Sequence, residues 1–428
     1  MRLFSKYVAD LEALAESILA DPAKLSRYKG QVSAALNGGP SRILRQSLPI
    51  EKQRKYGSFF TGEPLSRLVK TALTTKPSTG GYVDPACGTG NLLLLASGLL
   101  AASEDLDATL EMWGQKLAGY ELRPALARAA RARLALQAVT AFPRNVGSRQ
   151  RVRDLFPNIR VANALASDVS IAAGSRILMN PPFFRMNAPE DCPWGSGRVS
   201  AAAVFLDQFL EMAPLGTEIV AVLPDVLRSG SLYEKWRQTI SSRSTIKSVQ
   251  LFGQFDNGTD IHVFVTKLIA GPSPSGDNGW WHDSKSTVRT VEDFFEVSVG
   301  AVVPFRNKDE GTRVPYIQPK GLLRWGVFVP EDTRGFNGTL VRGPFVVVRR
   351  NSRVEDEHRA VATIINTEKA VAVENHLLVL KPRDNKLATC KRLLRALKKM
   401  KTDEWLNQRI RCRHLTVGAL KDVPWSDK

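Results

Sequence analysis

Apolar positions along the chain follow two patterns that predict different secondary structure. In residues 1–50 they recur every three or four positions, as at Leu11, Leu14 and Ile18, which predicts an N-terminal extension of helices. From residue 82 onward, short apolar runs alternate with stretches of helical periodicity. The runs are GGYVDPAC, KLAGYEL, RILMNPPF, EIVAVLP, IKSVQLF and DIHVFVTKLIA, and the helical stretches are 91–102, 124–140 and 204–213. This alternation predicts an α/β domain with a parallel or mixed sheet covered by helices.

The segment 271–279, GPSPSGDNG, concentrates Gly, Pro and Ser directly after the last of these runs, and we interpret it as a linker. It divides a central domain, residues 51–270, from a second domain, residues 280–428. The second domain has shorter β-like runs followed by a basic helical stretch at 387–401, which predicts an α+β architecture.

Charge and composition limit the classes of function. The 428 residues carry a net charge of +18, and the segment from Lys381 to the end has fourteen Lys and Arg against five Asp and Glu. A solvated basic helix is one explanation, but local concentration favours a nucleic-acid partner. The four dispersed cysteines predict neither a disulfide framework nor a metal site. No apolar stretch is long enough for a membrane span, and the N-terminus lacks a signal-peptide pattern, so we expect a cytoplasmic protein.

Residues 83–92, VDPACGTGNL, have the pattern of a strand end, a glycine turn and a helix start. Glycines at 88 and 90 permit backbone conformations closed to other residues and let a ligand approach the main chain. Asp84 lies at the carboxyl end of the strand, where ligands bind in open α/β sheets. About thirty residues on, Gly119-Tyr120-Glu121-Leu122 ends another strand. The carboxylate of Glu121 at this position can accept both hydroxyls of a ribose, although a surface glutamate is the alternative.

Asn180, Pro181, Pro182 and Phe183 directly follow the apolar strand 176–179. Two prolines end the strand, remove two backbone donors and stiffen the loop. A structural turn would explain the prolines but not the Asn before them and the aromatic residue after them. We therefore interpret the tetrapeptide as a catalytic motif.

Together, DPACGTG and NPPF resemble the motifs of gamma-class N6-adenine DNA methyltransferases, the family that includes type I modification subunits, over residues 55–270. The resemblance implies a Rossmann-like class I fold with a mixed, mostly parallel seven-stranded sheet, and S-adenosylmethionine as cofactor. YGSFFT, residues 56–61, resembles the family's motif X, although Gly62 stands where Pro is usual. The cofactor-binding residues implied are Thr61, Asp84, Ala86, Cys87, Gly88, Gly90, Glu121 and, for the adenine ring, Asn163, with Asp168 as the competing choice.

The resemblance also implies a reaction. The amine of adenine is a poor nucleophile because its lone pair is delocalised, and Asn180 with the Pro181 carbonyl would accept its two hydrogens. The target base must leave the duplex, and Phe183 would stack on it. Phe255, chosen over Phe252, is the second stacking candidate. The polar loop 184–200, with Trp194, is a candidate mobile element over the base.

The partners implied are double-stranded DNA, read by residues 280–428 as a target-recognition domain, and a separate restriction endonuclease or specificity subunit. Three alternatives remain open. NPP followed by an aromatic also occurs in methyltransferases of RNA and of protein glutamine, cytosine-N4 methylation uses related chemistry, and a non-catalytic DNA-binding subunit would keep the same fold.

Overall fold

A computed structural model describes residues 2–47, 63–74, 76–141, 146–256, 259–272, 279–280 and 289–425. The chain forms two compact units. Residues 1–227 with 235–280 make up the first, and residues 228–234 with 281–428 make up the second.

The first unit begins with three helices, as the periodicity of the N-terminal segment predicts. They are α1 (Arg2–Ala20), α2 (Lys29–Leu36) and α3 (Gly39–Ser47). The buried face of α1 joins the core of the unit through Phe4, Val8, Leu11 and Ile18. The N-terminal extension therefore belongs to the same hydrophobic core as the sheet.

A seven-stranded sheet forms the centre of the first unit. Its strands are β1 (Gly81–Asp84), β2 (Leu117–Glu121), β3 (Ile159–Val161), β4 (Ser175–Met179), β7 (Glu218–Pro224), β8 (Ser244–Asp256) and β9 (Thr259–Ala270), in the order β3-β2-β1-β4-β7-β9-β8. Every neighbouring pair from β3 to β7 is parallel, and β9 runs antiparallel to both β7 and β8. The predicted mixed, mostly parallel sheet is confirmed. Two further strands, β5 (Arg185–Asn187) and β6 (Arg198–Ser200), form a separate antiparallel pair.

Helices precede β1 and connect the strands that follow it. They are α4 (Glu63–Ala72), α5 (Asn91–Ser97), α6 (Leu106–Lys116), α7 (Pro124–Ala141), α8 (Ala201–Met212), α9 (Asp225–Ser229) and α10 (Glu234–Arg243). Helix α7 is buried along most of its length, with Ala127, Ala130 and Ala135 inaccessible to solvent. Small side chains allow neighbouring backbones to approach closely, so α7 packs tightly against α1 and the sheet.

Helix α5 and strand β3 differ from the sequence predictions. Helix α5 ends at Ser97, with Gly98 as its C-cap, whereas the sequence predicts a helix that extends to residue 102. Strand β3 was not predicted at all, because of its three residues only Ile159 is buried and the segment has no apolar run.

The end of the first unit also differs from the predicted boundary. Trp280, predicted to open the second domain, is buried in the first unit, where its ring lies 5.3 Å from that of Trp236. Residues 273–278 of the proposed linker lie outside the described part of the chain.

The second unit is an α+β structure, as its shorter runs predict. Its strands are β10 (Phe295–Val299), β11 (Arg313–Ile317), β12 (Val327–Phe328), β13 (Thr333–Gly335), β14 (Val341–Arg342), β15 (Phe345–Arg349), β16 (Ala362–Ile365), β17 (Ala370–Val373) and β18 (Leu377–Pro382), arranged in sheets of order β10-β18-β15-β16-β12 and β13-β11-β17-β14. Its helices are α11 (Val291–Phe294), α12 (Leu387–Leu397), α13 (Met400–Arg409) and α14 (Val417–Lys421). The single basic helix predicted at 387–401 is therefore two helices.

Candidate active site

Four neighbouring parallel strands end at one edge of the central sheet. Strands β1 and β2 end at Asp84 and Glu121, and β4 is followed at once by Asn180. Asn163 comes two residues after β3. Because Asp84 pairs in register with Gly119, and Glu121 with Val161, these polar side chains are brought to the same edge.

A cavity of about 230 Å³ opens at this edge. It is lined by Asp84, Pro85, Ala86, Cys87, Gly88, Asn91, Leu92, Tyr120, Glu121, Leu122, Arg123, Leu126, Ala162, Asn163, Ala164, Leu165, Asn180, Pro182, Phe184, Met186 and Phe205. Eight of the proposed site residues are therefore on its wall: Asp84, Ala86, Cys87, Gly88, Glu121, Asn163, Asn180 and Pro182. Gly90 is not among them.

The glycine turn between β1 and α5 requires left-handed backbone at two positions. Gly88 has φ 53° and Gly90 has φ 83°. A Cβ atom on Gly90 would also lie 3.0 Å from the Cβ of Ala130 on α7. Gly90 therefore serves the packing of the turn, and the backbone before it, from Asp84 to Gly88, faces the cavity.

Two buried carboxyl groups stand on the cavity wall. Burial raises the pKa of Asp84 to about 7; a hydrogen bond from the Ala86 N–H (3.0 Å) opposes the rise, and the Glu121 carboxylate adds to it. Burial also raises the pKa of Glu121, opposed by hydrogen bonds from backbone N–H groups that include Arg123 (2.9 Å). A cation or a set of hydroxyl donors in the cavity would stabilise the charged forms of both.

Cys87 also faces the cavity, and its role there is packing. Burial raises the pKa of its thiol well above the usual value, with Asp84 and Glu121 adding to the rise, so the thiol stays neutral. A Cβ atom on Gly119 of β2 would lie 2.9 Å from its sulfur. The cavity therefore does not offer Cys87 as a nucleophile.

The two candidates for the third cofactor contact occupy different positions. Asn163 lines the cavity, and its side-chain oxygen accepts a hydrogen bond from the Leu165 N–H at 3.2 Å. Asp168 is exposed and is not among the described residues that line the cavity.

The tetrapeptide after β4 divides between the cavity and the aromatic surface beside it. Asn180 and Pro182 line the cavity, whereas Pro181 is buried and is not among the lining residues. The ring of Phe183 lies edge-on to that of Phe255, with centroids 5.4 Å apart and planes at 89°. The two predicted stacking residues are therefore neighbours.

The segment predicted as a mobile loop, 184–200, forms a hairpin. Strands β5 and β6 pair with Met186 opposite Val199. Trp194, only 4% exposed, donates its indole N–H to the Asp207 carboxylate of α8 at 2.7 Å. The hairpin is therefore anchored to the domain, and it places Met186 on the cavity wall.

Sequence reasoning missed several residues of the wall. Leu122 and Arg123 directly follow Glu121, and Phe184 follows the tetrapeptide, so adjacency to a motif was the available signal. Met186 belongs to the loop 184–200, which the sequence analysis places over the base. Phe205 had no such signal, because only α8 brings it to the cavity.

Motif X, residues 56–61, and with it Thr61, lies outside the described part of the chain. Among the residues that are described, no group of three or more His, Cys, Asp or Glu is placed to hold a metal ion. No helix in the same part of the chain is both long enough and apolar enough to cross a membrane.

The strand order, the single antiparallel strand β9 and the site at the carboxyl ends of β1 to β4 define the class as a Rossmann-like class I methyltransferase fold. The model of the family N-6 DNA Methylase matches residues 43–265, more than half of the chain. The chain belongs to this family.

Several solved structures resemble the chain at low sequence identity. One is described as a modification subunit of a type I restriction enzyme from Vibrio vulnificus. It has 20% identity and a TM-score of 0.40, and the matched region covers 55% of this chain and 49% of that protein. The EcoKI M protein has 16% identity and a TM-score of 0.38, and the matched region covers 56% of this chain and 59% of that protein. The type IIG restriction endonuclease BpuSI has 13% identity and a TM-score of 0.41, and the matched region covers 88% of this chain and 58% of that protein.

The chain thus spans about half the length of the Vibrio vulnificus protein. The comparison with curated proteins finds no match.

Proposed function

We propose that the protein is an S-adenosylmethionine-dependent DNA methyltransferase that modifies N6 of adenine at a specific sequence, within a restriction-modification or other defence system. One observation carries the proposal. Asp84, Glu121, Asn163 and Asn180 line one cavity at the carboxyl ends of adjacent parallel strands, in a chain of the N-6 DNA Methylase family.

The cavity fits the cofactor in its chemistry. Asp84 would pair with the ammonium group of the methionine part, and Glu121 would accept the ribose hydroxyls. Leu122 lines the cavity and is 67% exposed, which leaves an apolar surface for the adenine ring beside Asn163. When bound, S-adenosylmethionine supplies an electrophilic methyl group.

Asn180 and Pro181 would prepare the target amine. The side-chain oxygen of Asn180 accepts one N6 hydrogen and the carbonyl of Pro181 accepts the other, which localises the lone pair on nitrogen without removing a proton first. The proline pair restricts the backbone of Asn180 and Pro181, so the Pro181 carbonyl is held in position before the base arrives. Catalysis of this kind rests on positioning and on hydrogen bonds that strengthen as nitrogen becomes positive.

Phe183 and Phe255 would enclose the base. A planar base stacked between two rings needs roughly 7 Å between them, twice a normal contact distance. The ring centroids are 5.4 Å apart and the ring planes are perpendicular, so the rings are in edge-to-face contact with each other. This contact occupies the position that the base would take between them. Binding of a flipped base would therefore require the pair to separate, and their contact would cover the apolar surface until then.

The second unit would supply contacts to DNA. Exposed Lys and Arg side chains on and after α12, including Lys391, Lys398 and Lys401, are suited to phosphate contacts. Residues 281–428 would serve as the target-recognition domain, with a separate endonuclease or specificity subunit as a partner.

The function is tested by sequencing DNA for modified adenines in cells that express the wild type, Asn180→Ala or Asn187→Ala. Asn187 is an exposed asparagine of the hairpin outside the cavity wall, so its substitution is the matched control. We expect N6-methyladenine at a defined sequence with the wild type and Asn187→Ala and none with Asn180→Ala. Equal modification by all three would refute the role of Asn180, and absence of modification in the wild type would refute the proposed substrate for this chain acting alone.

A further inference from the structure

Arg133 is a buried arginine in the middle of α7. It is only 1% exposed. Burial lowers the pKa of its guanidinium to about 10, so the group remains charged at neutral pH. A buried charge is costly unless its donors are satisfied, and the partners of Arg133 lie in two separate parts of the first unit.

One set of partners is at the end of the N-terminal extension. The Nε of Arg133 donates to the carbonyl of Ala35 at 2.8 Å, and one terminal nitrogen donates to that of Leu36 at 3.0 Å. These are carbonyls of the last turn of α2, which lack partners within the helix and carry the negative end of its dipole. Arg133 therefore caps α2.

The other set is in the glycine turn. The second terminal nitrogen donates to the carbonyl of Thr89 at 2.5 Å and to the side-chain oxygen of Asn91 at 2.7 Å. Thr89 lies between the two left-handed glycines, Gly88 and Gly90, and Asn91 lines the cavity. A turn with two glycines has little conformational preference of its own, so these contacts restrict it.

We propose that Arg133 is a positioning residue for cofactor binding, which holds the glycine turn in its binding conformation by connecting it to the end of α2. This inference rests on the proposed function for the identity of the cofactor. Helix α2 then stabilises the cofactor site indirectly, because its displacement would remove two of the hydrogen bonds that hold the Arg133 guanidinium in place. The planar fork of Arg spans both sets of carbonyls, which a lysine ammonium cannot do.

Binding of S-adenosylmethionine, measured by titration calorimetry well below the melting temperature, tests the proposal with Arg133→Met, Arg133→Lys and Arg359→Met. Arg359 is the matched control. It is fully buried in the second unit and donates to the carbonyls of Ser352 and Ile410 at 2.9 and 3.0 Å.

We expect Kd to rise by about tenfold or more in both Arg133 variants, whereas it changes less than about twofold in Arg359→Met despite a comparable loss of thermal stability. The kcat at saturating cofactor should stay within about twofold of the wild type in the Arg133 variants. Wild-type affinity in folded Arg133→Met, or an equal loss in Arg359→Met, would overturn the inference. Failure of the wild type to bind the cofactor would instead refute the proposed function.

Hydrogen exchange of the wild-type protein provides a test that requires no variant to fold. Coupling between two sites is reciprocal. The cofactor should therefore slow amide exchange at Leu36 and Asn37, at the end of α2, which do not line the cavity. Helix α12 in the second unit is the control and should not change. Protection of the glycine turn without protection of α2 would contradict the inference.

Discussion

Asp84 has a pKa near 7 because its carboxyl group is buried at the end of β1. Its charge in the absence of cofactor therefore changes within the physiological range of pH. If Asp84 pairs with the ammonium of S-adenosylmethionine, only its ionised form binds well, and binding releases a proton from the protonated form.

The affinity for S-adenosylmethionine should therefore fall as the pH drops below 7, by about tenfold per pH unit. The affinity falls toward low pH because the pKa of Asp84 is raised to about 7. The carboxylate that binds the ammonium is present above this pH and becomes protonated below it. Calorimetric titration between roughly pH 5.5 and 7, below that pKa, measures the slope. Asp84→Asn should bind weakly and without this dependence, and a wild-type affinity that is constant over the range would contradict the role of Asp84.

The residues at the strand ends show what the sequence can and cannot predict. Asp84, Glu121 and Asn180 stand beside apolar runs, and the edge where parallel strands end is a general site for ligands. Arg133 was not predicted, because an arginine within an alanine-rich helix usually faces solvent. Its role depends on contacts with α2 and the glycine turn, which are distant in sequence.

At the scale of elements, the glycine turn combines two separate demands on one residue. Gly90 needs a left-handed backbone, and it also needs the absence of a side chain because of Ala130 on α7. Gly216 has the same φ of 83°, but a Cβ atom added there would meet nothing within 4 Å. The two glycines therefore allow the two demands to be measured separately.

Gly216→Ala should cost about 1–2 kcal/mol of unfolding free energy, the penalty for a left-handed alanine. Gly90→Ala should cost a further 1–3 kcal/mol or so, because the new methyl group overpacks the contact with α7. Urea unfolding of the two variants, followed by the signal of the first unit, measures the difference. Equal losses in both would show that the turn is not packed against α7 as described.

Elements with continuous apolar runs were predicted well, and those fixed by distant contacts were not. EIVAVLP coincides with β7 because every one of its residues is buried. The hairpin of β5 and β6 lacks such a run and depends on Trp194 reaching Asp207 on α8. The basic stretch after residue 387 divides into α12 and α13 around Lys399. The sequence does not predict this boundary, because basic residues lie on both sides of it.

For the whole molecule, the net charge of +18 predicts electrostatic binding of DNA, with the basic C-terminal segment as a main contributor. Lys398, Lys399 and Lys401 are exposed at and after the end of α12. Replacement of all three by Gln should weaken DNA binding and reduce the slope of log K against log salt by as much as about 2.7, since each phosphate contact contributes about 0.9.

The matched control replaces three exposed lysines of the N-terminal segment, Lys6, Lys24 and Lys29. It makes the same change in net charge, so it should lower affinity less and leave the slope nearly unchanged. Fluorescence anisotropy with a DNA duplex over a series of salt concentrations measures both slopes. Identical slopes for the two triple variants would show that the segment after α12 does not contact phosphates.

Mass spectrometry of nucleosides identifies the modified atom directly. The purified protein is incubated with methyl-deuterated S-adenosylmethionine and genomic DNA, RNA or cell protein, and each product is digested and analysed. We predict labelled N6-methyldeoxyadenosine from DNA with the wild type and none with Asn180→Ala. Label on deoxycytidine, on RNA or on protein glutamine, or no label from any substrate, would contradict the assignment.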